Sequence, residues 1–245
     1  MSGNRRGDFA ITSAHGHRDS DDSIILLTSP GRSYAAFVHE TPGDLFDAPN
    51  GAALIHACNC QGTWGAGLAR QFRERYPAAY EIYRKHCLDH LDNRVSHKIP
   101  DLRGPFSMEV DFPLGTALVI PPQQSDFTLH RRRHWIICLF TSKDFGARVD
   151  KEEMIITSTH AALLDLREQL ETLCRRYPDS GVGEQVPSGL YSSRFCTGIF
   201  NIPWEIIHGL INEIGLRINV YYPYEPSNRG RRPIRVQPPS EEHRG

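Results

Sequence analysis

Three groups of residues in this chain have the types and spacing to do chemistry on an anion. The first is LIHACNCQGTWGAGL, residues 54–68. It sets His56 inside an apolar stretch, puts Asn59 where that stretch ends, and follows with Gly62, Gly65 and Gly67 ahead of a helical pattern. Strand, glycine loop and helix in that order turn backbone N–H groups toward an anion at a helix N-terminus. The same order also joins strands to helices with no ligand at all. The spacing Gly-x-x-Gly-x-Gly is not the dinucleotide fingerprint, and with no Lys-Ser/Thr after it the loop is not a nucleotide P-loop. The second group is the polar segment TSKDFGARVDK, residues 141–151, with Lys143, Asp144 and Asp150. A carboxylate there could attack phosphorus or orient water, although Asp150 ahead of Lys151-Glu152-Glu153 also has the form of a helix capping box. The third is TGIFN, residues 197–201, just before Pro203. A glycine and a helix start suit backbone amides to a diphosphate.

The elements that must position these groups read as follows. Residues 54–58 form a short buried strand, and Leu68, Phe72 and Tyr76 mark the helix after the glycine loop. Pro77 interrupts or restarts that helix, which continues through Tyr80 and Tyr83 toward Cys87. Residues 89–113 are polar and proline-dotted and read as an inserted surface loop, with His90 and His97 facing solvent. Residues 115–121 and 135–141 are strands, the second (WIICLFT) buried on both faces, and residues 130–134 between them are a basic, solvated turn. Segment 141–151 then falls in the crevice beyond the carboxyl ends of parallel strands, where α/β folds bind ligands. Ile156, Thr159, Leu163, Leu166, Leu170 and Leu173 predict a long amphipathic helix, followed by a Pro/Gly/Ser-rich connection at 179–189. A short strand running through 195–201 ends in the third group, Pro203 opens a helix to about Ile214, and 216–221 is the last strand. Near the start, 34–39 is a strand running into TPGDLF, and 24–27 is at most a stray one. Together these predict a three-layer α/β/α sandwich around a mixed sheet.

Bulk properties narrow the function. A length of 245 residues suits one domain with tails: a disordered extension over 1–32, the domain over 33–223 and an Arg/Pro-rich tail over 224–245. A net charge of −1 argues against a nucleic-acid or membrane-surface binder, and no apolar run reaches transmembrane length. The six cysteines mostly sit in apolar runs and read as reduced, buried thiols of a cytoplasmic or nuclear protein. Cys58-x-Cys60 beside His56 suggests a metal, but a zinc site usually draws on two separated clusters and the sequence shows no second one. The expectation is a monomer acting on a small molecule, with no metal and no cofactor.

The runs HACNCQGTWGAGLARQF and SGLYSSRFCTGIFNIPWE resemble the macrodomain superfamily, and within it the fungal ADP-ribose 1''-phosphate phosphatases, over roughly residues 35–223. The resemblance implies ADP-ribose binding. It places adenine at Gly43-Asp44-Leu45, where the residues alone suggest a plain turn. It gives the diphosphate to Gly198, Ile199, Phe200 and Asn201, with Phe200 over the adjoining ribose rather than simply in the core. Asn59, Gly65, Ala66 and Gly67 would hold the distal ribose that carries the 1''-phosphate. His56, otherwise a hydrogen-bonded core histidine, takes a catalytic role, and so does Asp150, with Asp144 as the alternative. A related macrodomain group instead removes ADP-ribose from macromolecules through a loop lysine, helped by an aspartate in the second loop. Lys143 falls near that lysine, but Phe200 stands where the aspartate would be. A reader that binds ADP-ribose without chemistry is the third possibility.

Overall fold

The computed structural model describes residues 37–93, 95–178 and 185–223. The expectations for the extension 1–32, the tail 224–245, the strand at 24–27 and most of the connection 179–189 lie outside the described residues. Eight strands and five α-helices follow one another along them: β1 (Val38–Pro42), β2 (Ala53–Asn59), α1 (Gly67–Arg75), α2 (Pro77–Asn93), β3 (Ser96–Pro100), β4 (Ser107–Asp111), β5 (Ala117–Ile120), α3 (Gln124–His130), β6 (Trp135–Ser142), α4 (Glu152–Arg176), β7 (Leu190–Ser193), α5 (Trp204–Ile214) and β8 (Ile218–Tyr222). The main sheet has the order β1-β8-β7-β2-β6-β5. All its neighbours are parallel except β5, which runs antiparallel to β6 at one edge. The sheet is therefore mixed, as predicted.

Side-chain alternation on the two central strands builds the layers. Ala53 and Ile55 of β2, with Ile137 and Leu139 of β6, face a core shared with Ile155, Leu163 and Leu166 of α4 and Ile207 and Ile211 of α5. The intervening residues, Leu54 and Cys58 with Ile136, Cys138 and Phe140, face Phe72 of α1 and Ala79, Tyr83 and Cys87 of α2. Every residue of β6 is buried, because it sits mid-sheet with helices on both sides. The α/β/α sandwich follows from this period of two.

Four readings are corrected. Residues 89–113 are not a surface loop: α2 continues to Asn93, and β3 and β4 pair as an antiparallel hairpin. Ile99 and Val110 pin that hairpin to the α1–α2 core. His90 and His97 are half-buried rather than solvent-facing and pack against Phe112, and His97 Nε2 lies 2.8 Å from the Leu114 carbonyl. The basic turn at 130–134 follows α3, a helix too short to show periodicity, and its last residue is buried: His134 bonds Tyr76 Oη (2.6 Å) and the Ala48 carbonyl (2.9 Å). The strand expected through 195–201 lies earlier, at β7, and 195–201 is a turn. No helix among the described residues is long and apolar enough to cross a membrane.

Gly115 joins the hairpin to β5 with φ +76°, and a Cβ there would stand 2.9 Å from Ile99 Cγ2 and 3.3 Å from Ala161 Cβ. Both neighbours are buried, so neither can swing away. Gly115→Ala should cost about 2 kcal/mol, combining left-handed backbone strain with overpacking. Urea unfolding reads it directly. A loss below about 0.5 kcal/mol would mean that the hairpin yields freely.

Candidate active site

The loops after β2, β6 and β7 meet at the carboxyl edge of the sheet and enclose a cleft of about 630 Å³. His56, Asn59, Gly65, Ala66, Gly67, Gly198, Ile199 and Phe200 line it, as expected from sequence. Asp44, Leu45, Lys143, Asp144, Asp150 and Asn201 are not part of its wall. The sequence reading had not singled out Thr63, Trp64, Phe145, Gly146, Arg194 or Cys196, which also line it. Their types alone gave no signal, though all lie within or beside the loops that did. A second cavity, of about 790 Å³ beside β5 and α4, contains none of the expected site residues.

Asn59 shapes the first loop. At Cys58/Asn59 the β2–β6 register shifts, which swings the chain out of the sheet. The Asn59 carboxamide then ties the turn together: Oδ1 accepts from Gln61 N (2.9 Å) and Tyr83 Oη (3.1 Å), and Nδ2 donates to the Thr63 carbonyl (2.7 Å). The turn reading of Asn59 is thus realised, at the cleft wall. Helix α1 starts behind this loop with Ala66 at its N-cap and no side-chain cap, so its first amides are left for the cleft. In the second loop Ile202 N closes the neck on the Cys196 carbonyl (2.9 Å) and Asn201 N bonds the Gly198 carbonyl (3.1 Å). The amides of Gly198, Ile199 and Phe200 have no acceptor among the described residues. Two sets of uncommitted N–H groups therefore converge on one cleft, an arrangement suited to phosphate oxygens.

His56 shares a face of β2 with Cys58. Its ring stacks on Phe72 (4.1 Å between centroids, 10° between planes) and meets Trp64 edge-on at 4.7 Å. The ring nitrogens have one polar neighbour, Cys58 Sγ, at 3.6 and 3.5 Å. The imidazole is clamped in place by packing rather than by strong hydrogen bonds, and its polar capacity is left largely unspent. The cysteines of the cleft are poor nucleophiles. Burial pushes the Cys58 thiol far up and raises Cys196 to about 12, so neither is a thiolate at neutral pH.

Asp150 does not cap α4. The N-cap is Lys151, without a side-chain bond. Asp150 Oδ2 instead accepts from Lys143 N and lies 3.1 Å from Ser142 Oγ, so this carboxylate holds the start of the 142–150 loop. Asp144 Oδ1 is buried beside Arg148, 3.4 Å away. Lys143 reaches out to the hairpin and pairs with Asp111. That hydrogen bond outweighs partial burial and raises the Lys143 pKa, the opposite of what an attacking amine needs. Asp44 accepts from Phe46 N (3.0 Å) at the end of β1, two strands from β7 on the same sheet edge. Arg194 lines the cleft with its guanidinium held by Glu40 (2.7 Å) over the Tyr222 ring. Burial disfavours the Glu40 carboxylate, but its bonds from Trp204 and Arg194 prevail and hold its pKa below the ordinary range.

A mixed sheet between two helical layers, with two amide-lined loops meeting at the carboxyl ends of its parallel strands, is the architecture of a macrodomain. Two similar solved structures are the macrodomain of Thermus aquaticus DarG (TM-score 0.50, 21% identity, 76% of this chain and 98% of that one) and Thermosipho africanus DarTG in complex with ADP-ribose (TM-score 0.51, 16% identity, 76% and 41%). At such identities the likeness shows the fold alone. No protein-family model matches the chain. Among curated proteins, the ADP-ribose 1''-phosphate phosphatase of Aspergillus clavatus is 45% identical over 194 residues, 77% of this chain and 95% of that protein. That of Aspergillus fumigatus is 43% identical over 192 residues, 76% and 94%. The chain belongs to the family of ADP-ribose 1''-phosphate phosphatases.

Proposed function

We propose that the chain hydrolyses ADP-ribose 1''-phosphate to ADP-ribose and inorganic phosphate. The observation that carries this reading is the position of His56: an imidazole in the cleft wall, close to the glycine loop and to the uncapped start of α1. The distal ribose lies along Asn59 and Gly65, Ala66 and Gly67, and the diphosphate against the uncommitted amides of Gly198, Ile199 and Phe200, with Asn201, whose amide is bonded to the Gly198 carbonyl, closing the turn behind them. Adenine extends toward Asp44 and Leu45. The amides of both loops offset the phosphate charge, and His56 exchanges the proton that the reaction requires. Water attacks phosphorus, and the P–O bond to the 1''-oxygen breaks as that oxygen is protonated. Asp150 acts one step removed, by holding the backbone that carries Phe145 and Gly146 to the cleft.

The test is to incubate the pure protein with ADP-ribose 1''-phosphate and, separately, with mono-ADP-ribosylated protein and DNA. Release of phosphate from the first alone is expected. Release of ADP-ribose from a modified macromolecule would favour the lysine-dependent hydrolase, and binding without turnover would favour a reader. Lys143→Ala separates the two enzymes further. Since Lys143 is paired with Asp111 away from the cleft wall, phosphate release by this variant should stay within about 3-fold of the parent. For Asp44→Ala, calorimetry should find ADP-ribose affinity weakened by about 1–2 kcal/mol through loss of a charge-assisted bond to adenine. An unchanged Kd would remove Asp44 from the site.

A further inference from the structure

We propose that Arg194 binds the adenosine-side phosphate of the ADP-ribose diphosphate, and that Glu40, Trp204 and Tyr222 hold its guanidinium in position to do so. Among the described residues Arg194 is the one permanently cationic side chain in the cleft wall, and no carboxylate lines that wall. The ligand brings a charged diphosphate and a phosphate monoester of about −1.5 to −2. Loop amides are neutral donors, and a hydrogen bond between two ionised groups is stronger than one from a neutral amide. The inference rests on the placement of ADP-ribose proposed above.

The neighbouring strands aim this side chain. Arg194 leaves the end of β7, lies over the Tyr222 ring at the end of β8 (4.8 Å from Cζ to the ring centre), and meets Glu40 of β1. These three strands are consecutive in the sheet, so the guanidinium sits between the second loop and the turn that carries Asp44. That turn is fastened at the same place, where Gly43 N donates to the Tyr222 carbonyl (2.9 Å). With the diphosphate on the loop amides and adenine at Asp44, the phosphate nearer the adenosine passes beside Arg194. Glu40 takes only one edge of the guanidinium. Its Oε2 accepts from Nε (2.8 Å) and from Nη2 (2.7 Å), and its Oε1 accepts from Trp204 Nε1 (3.0 Å), which fixes the carboxylate in turn. The N–H groups of Nη1 and the second one of Nη2 have no acceptor among the described residues. Together they form the end-on fork of the guanidinium, whose two parallel N–H groups match two oxygens of a phosphate. The side chain is 44% exposed, so a ligand has access to it.

The test is calorimetry on the full-length chain with adenosine, AMP and ADP-ribose. Arg194→Ala should weaken ADP-ribose at least about 10-fold and AMP by a similar factor, while adenosine, which lacks the phosphate, should bind within about 2-fold of the parent. A purely structural role would move all three together. Arg194→Lys keeps the charge but not the fork and should still weaken ADP-ribose by about 3-fold or more; it is the second variant should Arg194→Ala fail to fold by circular dichroism. In turnover of ADP-ribose 1''-phosphate the loss should appear in KM, with kcat within about 3-fold of the parent, because this phosphate does not react. Parental ADP-ribose affinity in the folded variants, or equal losses for adenosine and AMP, would overturn the role of Arg194 and leave the reading of the cleft intact. A parent that binds no ADP-ribose would overturn both.

Discussion

Replacing His56 with glutamine is expected to slow turnover of ADP-ribose 1''-phosphate about 100-fold or more while ADP-ribose still binds within a few-fold of the parent. The reasoning starts from the clamp around the ring. Phe72 stacks on the imidazole and Trp64 meets it edge-on, so the side chain has one position and faces the cleft from it. Among the residues of the cleft wall, the thiols of Cys58 and Cys196 are held protonated and Arg194 is committed to Glu40, which leaves the His56 imidazole as the side chain with both a donor and an acceptor nitrogen for the proton. Glutamine has comparable length and keeps a donor and an acceptor but exchanges no proton, so it separates chemistry from shape. Binding rests mainly on the loop amides, which the substitution leaves in place. Losing the aromatic stack costs some stability, so kcat has to be compared below the melting transition of both proteins. Activity within about 3-fold of the parent would remove His56 from the chemistry. Loss of ADP-ribose binding together with activity would instead make it part of the binding wall.

How much of this could be read beforehand differs by residue. WIICLFT announces a strand buried on both faces, and it is the fully buried β6. The glycine spacing after Asn59 announces a strand–loop–helix turn, and α1 starts at Gly67 as that pattern requires. These are local signals, set by period and by backbone freedom. What escaped was non-local. Asp150 had the sequence form of a helix cap, yet its carboxylate is captured by Lys143 N and Ser142 Oγ from across its own loop. Lys143 looked like a loose loop lysine until the β3–β4 hairpin, itself mistaken for a loop, brought Asp111 to it. The hairpin was missed because its strands are five residues each and alternate only weakly between exposed and buried. His56 and Cys138 became neighbours only once the β2–β6 register was known.

The same non-local contacts tie the catalytic edge together. Cys60 N donates to the Ser142 carbonyl (3.1 Å), and Gln61 Nε2 to the Lys143 carbonyl (3.0 Å), so the first loop is fastened to the loop after β6. That loop is fastened in turn to the hairpin through Lys143 and Asp111. The cleft wall is therefore a chain of loops, each held by the next, and Asp150 sits at the link where the β6 strand lets go.

That position yields the second large expected effect. Asp150→Ala should cut turnover of ADP-ribose 1''-phosphate by about 100-fold, whereas Asp150→Asn should keep it within about 10-fold. If Asp150 attacked phosphorus or oriented the attacking water by its charge, the uncharged amide would fail as badly as alanine. The structure instead has Oδ2 accepting from the Lys143 amide and the Ser142 hydroxyl, and an asparagine oxygen can accept both. Alanine leaves a backbone N–H without its acceptor and frees the segment that delivers Phe145 and Gly146 to the cleft. Displacement of a wall by about 1 Å is enough for a loss of that size. The alanine change should also lower stability by roughly 0.5–1.5 kcal/mol, read from urea unfolding, because the exposed Lys143 amide and the part-buried Ser142 hydroxyl lose their shared acceptor. Equal losses of kcat in the alanine and asparagine variants, with both proteins folded and binding ADP-ribose, would move Asp150 from holding the loop to acting on the substrate itself.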